Sequence, residues 1–125
     1  MFVQANKVGT DIEVGVERVV GTITINGTKY TRYVKVIELN PFTAPTTSAG
    51  TSVNTPHNIT GMVGVLSVSG IITNNTNYYL PLPYFNPTSA AGQETTILAT
   101  ATNITVAYTY NWSGWTGIGI IEYYK

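Results

Sequence analysis

The sequence predicts an all-β chain: a single jelly-roll-like β-sandwich over residues 13–125, preceded by a short N-terminal arm over residues 1–12. Three observations predict it. Apolar and polar residues alternate with period two in several runs, as half-buried strands require. Clusters of Gly, Asn and Pro interrupt those runs at short spacing, and no stretch carries a convincing 3.6-residue period. At 125 residues the chain can bury one real core but not two ordinary ones.

The arm is an apolar-polar mixture that ends in Gly9-Thr10-Asp11, outside the alternation that follows. Phe2 and Val3 have no intradomain pattern to join and are expected to dock elsewhere, on another protein or across an oligomer. From Glu13 the period-two pattern places Val14, Val16, Arg18 and Val20 on one face until Gly21 interrupts it. Asn26-Gly27 then joins Thr22–Ile25 to Thr28–Leu39. Asn-Gly between two β-rich runs is a strong hairpin signal, because both residues tolerate positive φ. Residues 40–56 hold Pro41, Pro45, Gly50 and Pro56 among Thr and Ser and read as a long surface loop.

Val63–Ser69 and Ile71-Ile72 form the next strand, and Asn74-Asn75-Thr76-Asn77 turns the chain into Tyr78–Tyr84. In that run Pro81 and Pro83 remove amide donors from one side only, so the segment reads as an edge strand whose Leu80, Leu82 and Tyr84 face the core. After a loop over residues 85–93 come a strand at Glu94–Thr100 and a clean alternation at Ile104, Val106, Tyr108 and Tyr110. Asn111-Trp112-Ser113-Gly114-Trp115 turns the chain again. Thr116–Tyr124 closes it with apolar residues on both faces, which places it inside a sheet or at a subunit interface.

Charge narrows the function. Six basic and six acidic residues give zero net charge, and between Leu39 and Ile121 the one formal charge is Glu94. A dispersed monomer usually carries a quarter to a third charged surface with net charge away from zero, so this chain is expected to associate with copies of itself or with a larger particle. Nucleic acid and membrane insertion are not expected as partners, for lack of clustered Lys and Arg and of a run of roughly 20 apolar residues. Lys29, Arg32 and Lys35 do not form one stripe, since in a strand Arg32 faces away from the other two.

Catalytic inventory is thin. His57 is the single histidine, Asp11 the single aspartate, and there is no cysteine. A Ser-His-Asp arrangement would have to bring the arm beside His57, whose simpler role is to cap or pack the turn after Pro56. One histidine supplies no zinc set, and Asp11, Glu13 and Glu17 lack a calcium-loop signature. Glu38, Glu94 and Glu122 are glycosidase carboxylates by elimination alone, and Glu122 is expected to pair with Arg18, Lys35 or a neighbouring subunit. No catalytic residue, cofactor or metal is therefore assigned. The Asn-x-Ser/Thr triplets at Asn26, Asn58, Asn74, Asn103 and Asn111 follow from the Asn/Thr-rich composition.

The hairpin Ile25–Tyr30 running on to Val34–Ile37, the His57-Asn58-Ile59 step, Tyr79–Tyr84 after a Gly-rich strand and the closing Gly119–Lys125 occur in a characteristic order. In them the chain resembles the small C-terminal β-domain of tailed-bacteriophage appendage proteins, the tail-fibre and head-fibre proteins of gut phages. It departs at Asn26-Gly27-Thr28-Lys29, where that pattern more often has Asp-Gly-Lys-Pro, at Asn58, where it has Gly, and in ending at Lys125 without a Thr-rich tail. The resemblance implies a homotrimeric virion component, made in the bacterial cytoplasm, that joins other virion proteins and contacts the host surface. Alternatives are a capsid decoration or adaptor protein without a receptor, and a free carbohydrate-binding module or glycan-active enzyme. If a host glycan is bound, aromatic side chains on rigid turns are the expected contacts: Trp112 and Trp115 first, then Tyr84 and Phe85, with core packing as the rival role for the tryptophans.

Overall fold

The computed structural model describes residues 12–85 and 94–125. Eight strands follow in order: β1 (Arg18–Ile25), β2 (Thr28–Glu38), β3 (Thr51–Pro56), β4 (Gly64–Thr73), β5 (Tyr79–Leu82), β6 (Thr95–Ala99), β7 (Asn103–Tyr108) and β8 (Thr116–Tyr124). They form a five-stranded antiparallel sheet, β1-β2-β8-β4-β5, and a three-stranded one, β3-β7-β6. β8 lies between β2 and β4, and β7 between β3 and β6, so each sheet joins strands far apart in sequence, while β1–β2, β4–β5 and β6–β7 pair as sequence neighbours.

The β1–β2 hairpin turns at Asn26 (φ 50°) and Gly27 (φ 82°), the left-handed pair whose twist matches the flanking strands. Gly21 does not end β1. It sits at a bulge, with the register shifting between Val19 and Gly21, and the strand continues beyond it.

Side chains of the two sheets meet in one core, built from Ile37, Leu39, Ile72, Ile121 and Tyr123 on one side and Ile104, Val106 and Tyr108 on the other. Close approach depends on glycine in the central strands. A Cβ on Gly119 would lie 3.0 Å from Ile104 Cδ1 and 3.2 Å from Leu39 Cδ2, and one on Gly70 would lie 3.2 Å from Ile97 Cδ1. β8 is thus buried on its Gly117, Gly119, Ile121 and Tyr123 face, while Ile118, Ile120, Glu122 and Tyr124 point to the outer face.

Three expectations are corrected. The strand expected from Glu13 starts at Arg18, because Gly15 (φ 83°) sits in a turn closed by the Val16 amide on the Glu13 carbonyl; Val14 and Val16 are left exposed. Gly15 still donates to the Val36 carbonyl at 2.7 Å, so this segment lies along β2. The loop expected to reach residue 56 ends earlier, since Thr51–Pro56 forms β3. Among the described residues it is an edge strand bonded to β7 alone, with Pro56 as its last residue, a placement in which proline is tolerated. Glu122 pairs with Arg32, at 2.8 Å from Nη2 and 3.1 Å from Nε, and not with Arg18 or Lys35. Cross-strand register puts Arg32 and Glu122 on the same outer face, whereas Lys35 points inward and donates to the His57 and Asn58 carbonyls at 2.7 and 3.2 Å.

Candidate functional site

At one end of the five-stranded sheet the chain gathers aromatic rings. β5 is the edge strand that the prolines implied, hydrogen-bonded among the described strands to β4 alone. Beyond it the Tyr84 amide and carbonyl bond those of Thr95, both at 2.8 Å, which ties this edge to the start of β6 in the other sheet. Thr95, 1% exposed, also accepts a hydrogen bond from Trp112 Nε1 at 2.9 Å through its hydroxyl. One buried threonine therefore fixes both the tyrosine and the tryptophan.

Trp112 is 3% exposed and forms the floor. Trp115 and Tyr84 pack edge-on against it at centroid distances of 4.6 and 6.3 Å, and Tyr110 packs against it tilted at 4.7 Å. The turn that separates the tryptophans is closed by the Trp115 amide on the Trp112 carbonyl at 3.0 Å, with Gly114 at φ 84°, a conformation other L-residues resist. Asn111 caps it by accepting the Ser113 amide on Oδ1 at 3.0 Å.

Opposite this turn, Asn74 Oδ1 accepts the amides of Thr76, Asn77 and Tyr78 at 3.0–3.1 Å. Such side-chain bonding holds an Asx loop in one conformation and presents Tyr78, which is 56% exposed. The result is an open pocket of about 470 Å³ lined by Tyr78, Leu80, Tyr84, Tyr110, Asn111, Trp112 and Trp115. None of these side chains is charged.

Among the residues singled out from sequence, Trp112, Trp115 and Tyr84 come together here, Trp112 as buried support and Trp115 and Tyr84 as half-buried walls. Phe85 is 60% exposed and lines a separate depression with Pro83, Glu94 and Thr96. Phe2 and Val3 lie outside the described residues. Tyr78, Tyr110 and Asn111 were missed. Asn111 immediately precedes the tryptophan turn and Tyr78 follows an Asn-rich turn, and that adjacency was the available signal.

Two polar clusters lie elsewhere. His57, 1% exposed, accepts the Ile59 amide on Nδ1 at 3.2 Å and faces the Thr100 carbonyl with Nε2 at 3.0 Å. A carbonyl can only accept, so Nε2 carries the proton and both ring nitrogens are engaged in holding the turn after Pro56.

Glu17 accepts a short hydrogen bond from the Tyr123 hydroxyl and an ion pair from Lys125 Nζ at 3.0 Å. Lys125 Nζ also lies 5.0 Å from the centre of the Tyr33 ring, which stacks on Tyr123. Partial burial pushes the Glu17 carboxyl up, but the hydrogen bonds from Tyr123 and Lys125 and the charges of Lys125 and Lys35 outweigh it and hold the group below its ordinary 4.5. Burial first, then the Glu17 hydrogen bond and its negative charge, push the Tyr123 hydroxyl far above the ordinary range.

No family model matches the chain, and neither a curated protein nor a solved structure was found similar to it.

Proposed function

We propose that the chain is a non-enzymatic structural module of a bacteriophage particle: a homotrimeric fibre or appendage domain that decorates the virion and turns its loops toward the host surface. The observation that carries this reading is the outer face of the five-stranded sheet. Across β1, β2, β8 and β4 the outward positions hold the half-buried Ile23, Tyr30, Val34, Val36, Ile120 and Ile71 together with Arg18, Glu38, Ser67, Ser69 and the Arg32–Glu122 pair. Beside them a depression of about 360 Å³ under Val14 is lined by Ile71, Tyr79 and Ile118, with Glu38 its single charged side chain.

Apolar side chains left partly open on a sheet face, on a chain so poor in charge, support a protein–protein contact there. The order of the sequence motifs supports a phage appendage as the particle that supplies that contact. An enzymatic role has no support in the geometry of His57, whose ring nitrogens are both occupied.

Light scattering after size exclusion tests the reading. The expected mass is three times the 13.5 kDa of one chain. Ile120→Glu, at the centre of the outer face, should release folded monomers, and antibody labelling should place the chain on intact particles. A wild-type monomer at micromolar concentration would overturn the proposal.

A further inference from the structure

We infer that the aromatic pocket between the Asn74–Tyr78 loop and the Trp112–Trp115 turn is a binding site for a neutral saccharide, which stacks a pyranose face on Trp115 and bonds its hydroxyls to Asn111 and the surrounding tyrosines. The inference deepens the functional reading above and rests on it for the source of the sugar, the host surface; the chemistry of the site stands by itself.

Its volume, about 470 Å³, falls inside the roughly 300–1,000 Å³ typical of small-ligand clefts. Its lining is of two kinds. Tryptophan and tyrosine rings offer apolar faces, and the rim offers hydrogen-bonding groups that no neighbour uses: among the described residues the hydroxyls of Tyr78, Tyr84 and Tyr110 have no hydrogen-bond partner.

The amide of Asn111 is oriented by its neighbour. Because Oδ1 must accept the Ser113 N–H, Nδ2 is left with its two donors free among the described residues. A ligand that matches this lining has a flat C–H face and hydroxyl groups around its edge, which is the chemistry of a pyranose.

Charge decides the class of sugar. Among the described residues no Lys, Arg, Asp or Glu lines the pocket. An acidic sugar would give up hydration without a cation to compensate and would meet ring faces that are themselves electron-rich. A quaternary ammonium ion could sit on those faces, but it carries nothing for the Asn111 amide and the three phenols to bond. The neutral saccharide uses both halves of the lining.

The pocket is also held ready for its ligand. Asn74 fixes the loop that carries Tyr78, Thr95 fixes Trp112 and Tyr84, and Gly114 fixes the turn that carries Trp115. Rigid aromatic groups order at little cost on binding, which makes even a shallow site usable.

Saturation-transfer NMR and tryptophan fluorescence on the full chain test the inference. The probes are the methyl glycosides of glucose, galactose and mannose, N-acetylglucosamine and its oligomers, N-acetylneuraminic acid as the acidic sugar, and choline. Transfer to at least one neutral sugar is expected, with none to N-acetylneuraminic acid or choline.

Trp115→Ala should weaken that binding about tenfold or more. Two variants keep the fold beyond question. Tyr78→Ala removes an exposed ring, and Asn111→Asp retains the acceptor for Ser113 while replacing the free donor; each should weaken binding several-fold with an unchanged melting temperature. Silence with every neutral sugar, preference for choline or the acidic sugar, or binding that survives both variants would overturn the inference. A trimer that binds no neutral sugar would overturn it alone, whereas a sugar-binding monomer would overturn the virion reading and leave the site standing.

Discussion

Thr95 is where the two sheets and the aromatic pocket are joined, and the hydrogen bond from Trp112 Nε1 to its hydroxyl, 2.9 Å long between residues that are 3% and 1% exposed, can be isolated by a double-mutant cycle. Thr95→Val exchanges the hydroxyl for a methyl of nearly the same volume. It opens little cavity but leaves the Trp112 N–H buried without an acceptor, at a cost of about 1–3 kcal/mol. Trp112→Phe removes the donor and leaves a void; in that background the Thr95 hydroxyl is an unpaired acceptor, and exchanging it for a methyl should be nearly neutral.

The void cancels in the cycle, which should therefore return a coupling energy of about 1–3 kcal/mol. Urea denaturation followed by circular dichroism gives the four stabilities, measured at a single chain concentration because association adds to apparent stability. Thr95→Val alone should lower the melting temperature by roughly 4 °C per kcal/mol for a chain of this length. Additivity of the two substitutions within about 0.5 kcal/mol would refute the reasoning.

Two glycines should fail for opposite reasons. Gly27→Ala meets no atom within 4 Å but must hold φ 82°, so thermal or urea melts should show a loss of about 1–2 kcal/mol from the backbone alone. Gly119→Ala drives a methyl into Ile104 and Leu39 and should cost about 1–3 kcal/mol by overpacking, partly recovered in Gly119→Ala/Ile104→Val; absence of recovery would locate the strain elsewhere. Glu17, whose carboxyl is held below 4.5 in the folded chain, adds stability that is present above that pH and is lost as pH falls through its folded value, so Glu17→Gln should flatten the acid limb of the stability–pH curve below about pH 4.5. Tyr123, raised in the folded chain, adds stability that is present below its ordinary 10.0 and lost as pH rises beyond it, so Tyr123→Phe should flatten the alkaline limb of the same curve.

Local chemistry made much of the architecture legible. The Asn26-Gly27 hairpin, the edge strand marked by Pro81 and Pro83, and the alternation of β7 and β8 each follow from a few adjacent residues, because turn dihedrals and the two-residue strand period are properties of the chain itself. The all-β class followed from the repetition of those signals. β3 escaped notice because a Thr/Ser-rich strand bonded on one side has the composition of a loop, and its alternation becomes visible through its pairing with β7.

Pairings distant in sequence were decided by the tertiary structure alone. Which cation meets Glu122 depends on the register of β2 against β8, and that register places Arg32 on its face and Lys35 on the opposite one. Trp112 and Trp115 stand three residues apart in a turn, a spacing that does not say which ring meets the core; the hydroxyl of Thr95, delivered by the other sheet, draws Trp112 in and leaves Trp115 at the rim. The same closure brings Tyr78 beside Tyr110 from loops that share no sequence pattern. The sequence by itself determined most of the strands, the Asn-Gly turn and the scarcity of charge, because those are local properties of the chain. The pocket and the make-up of the outer face arise from long-range strand order, a property of how the sheets close on one another.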